Sequence, residues 1–176
     1  DIHFPKRLIK TIRSAPCIIK INSDFPAVIA MCAETSEERP ETWINDSIRD
    51  VFIMLNRQGH AHSVEAWQNT EDGEVLVGGL YGLAIGSAFF GESMFSRAND
   101  ASKIALAHLV ARLWKGGFTL LDTQFVNDHL KQFGVYDVTH EQYKMQLHEA
   151  IAKDADFTLK VSGKQSEHSE SELVHD

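Results

Sequence analysis

The chain has 176 residues, 43% of them hydrophobic and 24% charged, with a formal net charge of −8. These values fit one globular domain with a core of ordinary size and argue against a protein that coats nucleic acid uniformly. No stretch is apolar for long enough to span a bilayer and the first residues lack the pattern of a secretory signal, so the chain reads as cytosolic, with no membrane partner. Cys17 and Cys32 have neither CxxC spacing nor a secreted context and read as reduced core thiols. The first residue is not Met, which suggests a missing segment upstream.

Charge is unevenly placed. Residues 1–20 carry five cationic side chains against Asp1, a net of +4. Behind Pro5, a good first-turn residue, Lys6, Lys10 and Arg13 recur at i, i+4 and i+7, so a helix here would show a cationic stripe while Leu8, Ile9 and Ile12 face the core. Such a stripe can hold phosphates or simply face solvent. The β-branched run 17–21 reads as a strand, and Ser23 or Asp24 caps a helix to about Ala33. Asn45 or Asp46 can cap a second helix with Ile48, Val51, Phe52 and Leu55 as one stripe, stopped by Gly59. Strands follow at 62–67, 75–85 and 88–95, with hairpin turns at Glu71-Asp72-Gly73 and Gly86-Ser87. A long helix spans about 101–114 and ends at Gly116-Gly117. The run 118–125 reads as a buried strand and 127–132 as a short helix, and Thr139-His140-Glu141-Gln142 has the capping-box pattern for a last helix. Beyond Ala152 the composition turns polar, so the expected division is a domain over 1–152 and a disordered tail over 153–176.

Two of these strands carry groups that apolar surroundings penalise. Glu92, within Gly91-Glu92-Ser93-Met94-Phe95-Ser96-Arg97, and Asp122 with Gln124, within Leu121-Asp122-Thr123-Gln124, would each cost several kcal/mol if buried without partners, which suggests one shared polar site. The element order is that of the N-acetyltransferase-like α/β fold, a mixed sheet flanked by helices. In that fold the fourth strand and the parallel strand after it splay into a cleft, and Glu92 and Asp122 belong to these strands. Acetyltransferases hold a pyrophosphate on a glycine-rich turn before the long helix. Here the turn is Ser96-Arg97-Ala98-Asn99-Asp100, without glycine and with an acid, which makes coenzyme A-dependent acetyl transfer a poor reading. Other constellations are weaker still. His60 and His62 lack a third metal ligand at convincing spacing. Ser93 lacks the last glycine of a G-x-S-x-G elbow. Asp128-His129 fits helix capping better than catalysis.

The chain resembles leucyl/phenylalanyl-tRNA protein transferases. The resemblance runs through Glu41-Thr42-Trp43-Ile44, Gly59-His60-Ala61-His62-Ser63-Val64-Glu65, Val77-Gly78-Gly79-Leu80-Tyr81-Gly82, the Gly91–Arg97 run, Ala101-Ser102-Lys103, Leu121-Asp122-Thr123-Gln124 and Asn127-Asp128-His129, covering residues 3 to about 150. It implies transfer of Leu or Phe from aminoacyl-tRNA to the α-amine of proteins that begin with Arg or Lys, marking them for degradation. The ester is already activated, so positioning and oxyanion stabilisation suffice, with no metal, cofactor or covalent nucleophile.

By resemblance, Asp122 polarises or orients Gln124, the pair handles the incoming amine, and Glu92 is the matching acid on the adjoining strand. At i and i+2, Asp122 and Gln124 would share one strand face, and an amide is too poor a base to make proton abstraction its role. Leu80, Phe89, Leu109, Leu113 and Leu121 match the family's amino-acid pocket, Trp43 its contact near the terminal adenosine, and Lys6, Lys10 and Arg13 its tRNA-holding cations. Nothing in the chain corresponds to the family's smaller N-terminal domain, which predicts weak aminoacyl-tRNA binding by these residues alone. A noncatalytic domain that binds tRNA or basic N-termini is the alternative ranked above acetyl transfer.

Overall fold

The computed structural model describes residues 9, 10, 12, 14, 17–35, 41–124, 128–131 and 134–159. Its centre is a mixed five-stranded sheet. The strands are β1 (Ile18–Ile21), β2 (Ala61–Thr70), β3 (Gly73–Ile85), β4 (Ala88–Ser96) and β5 (Leu120–Asp122), ordered β1-β2-β3-β4-β5. All neighbours are antiparallel except β4 and β5, which run parallel.

One sheet face is covered by α1 (Phe25–Ala33) and α2 (Asp46–Arg57), the other by α3 (Ala101–Lys115), and a short helix α4 (Asp128–Lys131) follows β5 in the chain. The caps follow sequence chemistry. Asp24 and Asn45 each accept a backbone N–H of the helix they open. α3 ends at Gly116, with Gly117 at φ +81° and the Phe118 N–H donating to the Leu113 carbonyl. Ile104, Leu109 and Leu113 of α3 pack with Val64, Leu80 and Phe89 of the sheet. Phe25, Val28, Ile29 and Cys32 of α1 pack with Tyr81 of β3 and with Ile48, Phe52 and Leu55 of α2. Each such fully buried side chain contributes about 1.5–3 kcal/mol relative to exposure. Gly78 makes the α3 contact possible, since a Cβ there would meet the Ala101 Cβ at 2.5 Å.

Four expectations need correction. Val51 is 49% exposed, whereas Ile48, Phe52 and Leu55 pack inward; at 100° per residue Val51 falls on the margin of that stripe. The strand expected over 118–125 shrinks to Leu120–Asp122, because β4 offers it only three pairing residues, Ala88 to Phe90. Gln124 therefore lies past the strand, not on a strand face shared with Asp122. Finally, the chain does not leave the domain at 152. Phe157 is 3% exposed and stacks between His62 and Phe89, at centroid distances of 4.1 and 5.4 Å, while its carbonyl accepts from the buried Arg112. A lone aromatic in a polar stretch finds its apolar partners there. Residues 160–176 lie outside the described residues.

β4 also carries an irregularity. Tyr81 pairs with Ser93 and Gly82 with Gly91, so Glu92 is an extra residue in the ladder, a β-bulge. Gly82 faces it because a Cβ there would stand 2.3 Å from the Phe90 carbonyl oxygen.

Candidate active site

The parallel pairing of β4 and β5 stops at Phe90 and Asp122, and beyond that point the two strands part. Glu92 stands just past the fork on β4, re-aimed by the bulge. Asp122 ends β5. Its Oδ1 accepts the backbone N–H of Gln124 at 2.7 Å, closing a short turn in which Gln124 adopts φ +62°. A non-glycine residue in the left-handed region costs on the order of 1 kcal/mol, and the carboxylate hydrogen bond offsets this. From that position Gln124 Nε2 donates to Glu92 Oε2 at 3.1 Å. The three polar residues singled out in the sequence thus meet. Asp122 holds the backbone of Gln124 rather than its side-chain amide.

A fourth member was not foreseen. The Tyr143 hydroxyl, on the last helix α5 (His140–Ile151), donates to Asp122 Oδ2 at 2.6 Å. The foreseen capping box at Thr139 and Gln142 sets the start of this helix, one turn before Tyr143. A tyrosine on the half-buried stripe with Leu147 and Ala150 needs a polar partner for its hydroxyl, and that was the available signal.

Electrostatics follow from this layout. Burial pushes the Glu92 carboxyl above its usual range, the nearby Asp122 charge adds to the rise, and the Gln124 hydrogen bond opposes it. The hydrogen bond to Asp122 is the main reason that Tyr143 is pushed up to about 12, with burial and the Asp122 charge contributing further.

A cavity of about 940 Å³ opens beside the cluster, at the upper end of the roughly 300–1,000 Å³ common for ligand sites. Leu106, Val110, Leu113, Phe118, Leu121 and Leu130 give it an apolar wall, and Asp122, Gln124, Asp137, His140, Tyr143 and Gln146 polar groups. Of the five expected pocket residues, Leu113 and Leu121 line it. Leu80, Phe89 and Leu109, each at most 3% exposed, sit in the adjoining core instead. Trp43 is 51% exposed in the loop before α2 and is not part of the cavity wall. Lys10 is helical and exposed, whereas Lys6 and Arg13 lie outside the described residues, as do the side chains of Asp128 and His129.

Two other sequence features resolve differently. His62 is a core histidine whose Nδ1 lies 3.0 Å from Asn22 Nδ2, and burial is the main cause of a pKa lowered to about 4. Among the described residues no group of three His, Cys, Asp or Glu could hold a metal ion. At the turn before α3, Ser102 N–H already donates to Ser96 Oγ, and Asp100 pairs with Lys103.

The family model for leucyl/phenylalanyl-tRNA protein transferase matches residues 1–148. The chain belongs to this family. The transferase of Paramagnetospirillum magneticum is 56% identical over 155 residues, 88% of this chain and 72% of the relative. Those of Phenylobacterium zucineum and Rhodopseudomonas palustris are 52% and 54% identical, covering 88% and 86% of this chain and 68% and 65% of the relatives. The Glu92–Gln124–Asp122 cluster and the cavity lie within the matched residues.

Proposed function

We propose that this chain transfers Leu or Phe from aminoacyl-tRNA to the α-amine of proteins beginning with Arg or Lys, tagging them for degradation in the cytoplasm, and that it does so on an N-acetyltransferase-like scaffold. One observation carries the reading: Glu92, Gln124 and Asp122 are joined by hydrogen bonds, and two of them, Asp122 and Gln124, line a cavity with a leucine-rich wall, in a member of this transferase family. The leucines, Val110 and Phe118 of the cavity can take a hydrocarbon side chain, while Asp137, His140 and Gln146 join Asp122, Gln124 and Tyr143 in offering hydrogen-bonding groups to the rest of a substrate.

The chemistry balances without a cofactor. The deprotonated α-amine attacks the ester carbonyl, the C–N bond forms, and the tetrahedral intermediate collapses with cleavage of the bond to the ribose oxygen. The proton lost by the amine goes to that leaving oxygen, directly or through water. Gln124, its Nε2 engaged with Glu92, retains Oε1 as an acceptor for an amine N–H, and Glu92 supplies negative charge for a cationic N-terminal residue. Leu113 and Leu121, with Leu80, Phe89 and Leu109 packed behind them, set the depth available to the amino acid. Trp43 stacks on the terminal adenosine, and Lys6, Lys10 and Arg13 contact tRNA phosphates. Acetyl transfer is disfavoured, because the turn before α3 presents the Asp100 carboxylate and a committed Ser102 N–H where a pyrophosphate would need free donors.

Incubation with Leu-tRNA or Phe-tRNA and a peptide beginning with Arg should yield the peptide extended by one Leu or Phe, read by mass spectrometry. A folded sample that binds both substrates and yields no product would support the noncatalytic reading. Acetylated peptide formed from acetyl-coenzyme A would overturn the assignment.

A further inference from the structure

We propose that Tyr143 is a positioning residue for the transfer reaction: its hydroxyl fixes Asp122 so that the turn carrying Gln124 stays closed and the Gln124 amide stays on Glu92. The inference rests on the transferase reading for its kinetic consequence, but its structural content stands on the hydrogen bonds themselves.

The Asp122 carboxylate divides its two oxygens between two donors, the Gln124 backbone N–H at 2.7 Å and the Tyr143 hydroxyl at 2.6 Å. Asp122 is the last residue of a three-residue strand, so the sheet gives its side chain little restraint. Gln124 lies beyond the strand, in a left-handed conformation that it would not choose by itself. The geometry of the amide therefore depends on where the Asp122 carboxylate is held, and Tyr143 holds the oxygen that the turn does not use. The tyrosine is anchored in turn: its backbone N–H donates to the Thr139 carbonyl, within the capping-boxed first turn of α5. Its hydroxyl, pushed up to about 12, stays protonated and therefore a donor throughout neutral pH. Tyr143 and Asp122 both line the cavity, so this bond also ties the α5 wall to the β5 wall.

The test is Tyr143→Phe, which removes one oxygen from a half-buried ring. Loss of a hydrogen bond to a charged group predicts a kcat lower by roughly tenfold to a hundredfold, with KM for aminoacyl-tRNA and for peptide within about twofold, since the ring and cavity wall remain. An unchanged kcat, or a raised KM at constant kcat, would overturn the proposal. A substrate-free readout separates this from failure of the transferase reading. In 15N spectra, Tyr143→Phe should shift the backbone and side-chain N–H signals of Gln124, and unmoved signals overturn the proposal even if the wild type transfers nothing. Should the Phe variant not fold, Asp122→Asn serves instead: Tyr143, followed by ring-labelled NMR, should then ionise nearer 10, and an unaltered titration counts against the coupling.

Discussion

Glu65 and Glu92 are glutamates of the same sheet, on β2 and β4, and the contrast between them separates scaffold from site. Glu65 is fully buried and saturated: Oε1 accepts from the Asp24 N–H and the Ser63 hydroxyl, and Oε2 from the Trp67 indole. It ties the start of α1 to β2 and has little capacity left for a visitor. Among the described residues, Glu92 receives one donor, the Nε2 of the cavity-lining Gln124, with its carboxyl pushed upward. A buried acid with every acceptor filled stabilises a fold, whereas a half-satisfied acid beside a cavity is available to a substrate.

The contrast can be broken experimentally, and the largest effect belongs to the saturated acid. Glu65→Ala leaves three donors without their acceptor and should lower the unfolding free energy by about 3–5 kcal/mol, read from the urea midpoint; a loss below about 1 kcal/mol would remove Glu65 from the scaffold. His62, in the same sealed region, comes next. Its folded pKa of about 4 lies below the unfolded value of about 6.5, so the unfolded chain binds the proton more tightly, and stability falls as pH drops from about 6.5 through about 4. The loss is on the order of 3 kcal/mol, and His62→Gln should flatten that part of the pH–stability curve. Glu92 has the opposite sign: its raised folded pKa means that protonation favours the folded state, so acid strengthens its surroundings while weakening those of His62.

Glu92→Gln should leave stability within about 0.5 kcal/mol and reduce transfer about a hundredfold, equivalent to about 2.7 kcal/mol in the barrier. The acid limb of wild-type activity should lie above the ordinary carboxylate range and vanish in the Gln variant; an identical limb in both would assign it to another group. The smallest expected change is at Lys10→Glu. If the stripe holds phosphates, tRNA affinity drops a few-fold and the slope of log K against log salt shrinks by about 1, with no effect on stability.

Much of this was legible in the residues. Regular elements announced themselves through hydrophobic period, Asp24, Asn45 and Thr139 caps, and hairpin turns. Glu92, Asp122 and Gln124 stood out because each broke an apolar pattern, and the structure brings them within hydrogen-bonding distance. Three things were not legible. The bond from Tyr143 to Asp122 joins residues 21 positions apart, and no local pattern names that partner. Residues Leu80, Phe89 and Leu109, apolar like the cavity wall, carried no local mark that would place them behind it. The short reach of β5 follows from how far β4 offers a straight edge, which is a tertiary fact.

The surplus residue at Glu92 has a consequence for the whole of β4. Phe89 and Met94 pack on the same α3 core although five positions separate them, an odd interval that strict alternation forbids, while Phe95 joins the opposite core. The strand therefore has two phases, joined at the acid. Removing that one position would restore simple alternation, with Met94 and Phe95 keeping the partners and faces they now have and only the acid lost from the ladder. Thiol-labelling of single cysteines walked along 88–96 should trace this change of phase as two interleaved accessibility rhythms that meet at position 92.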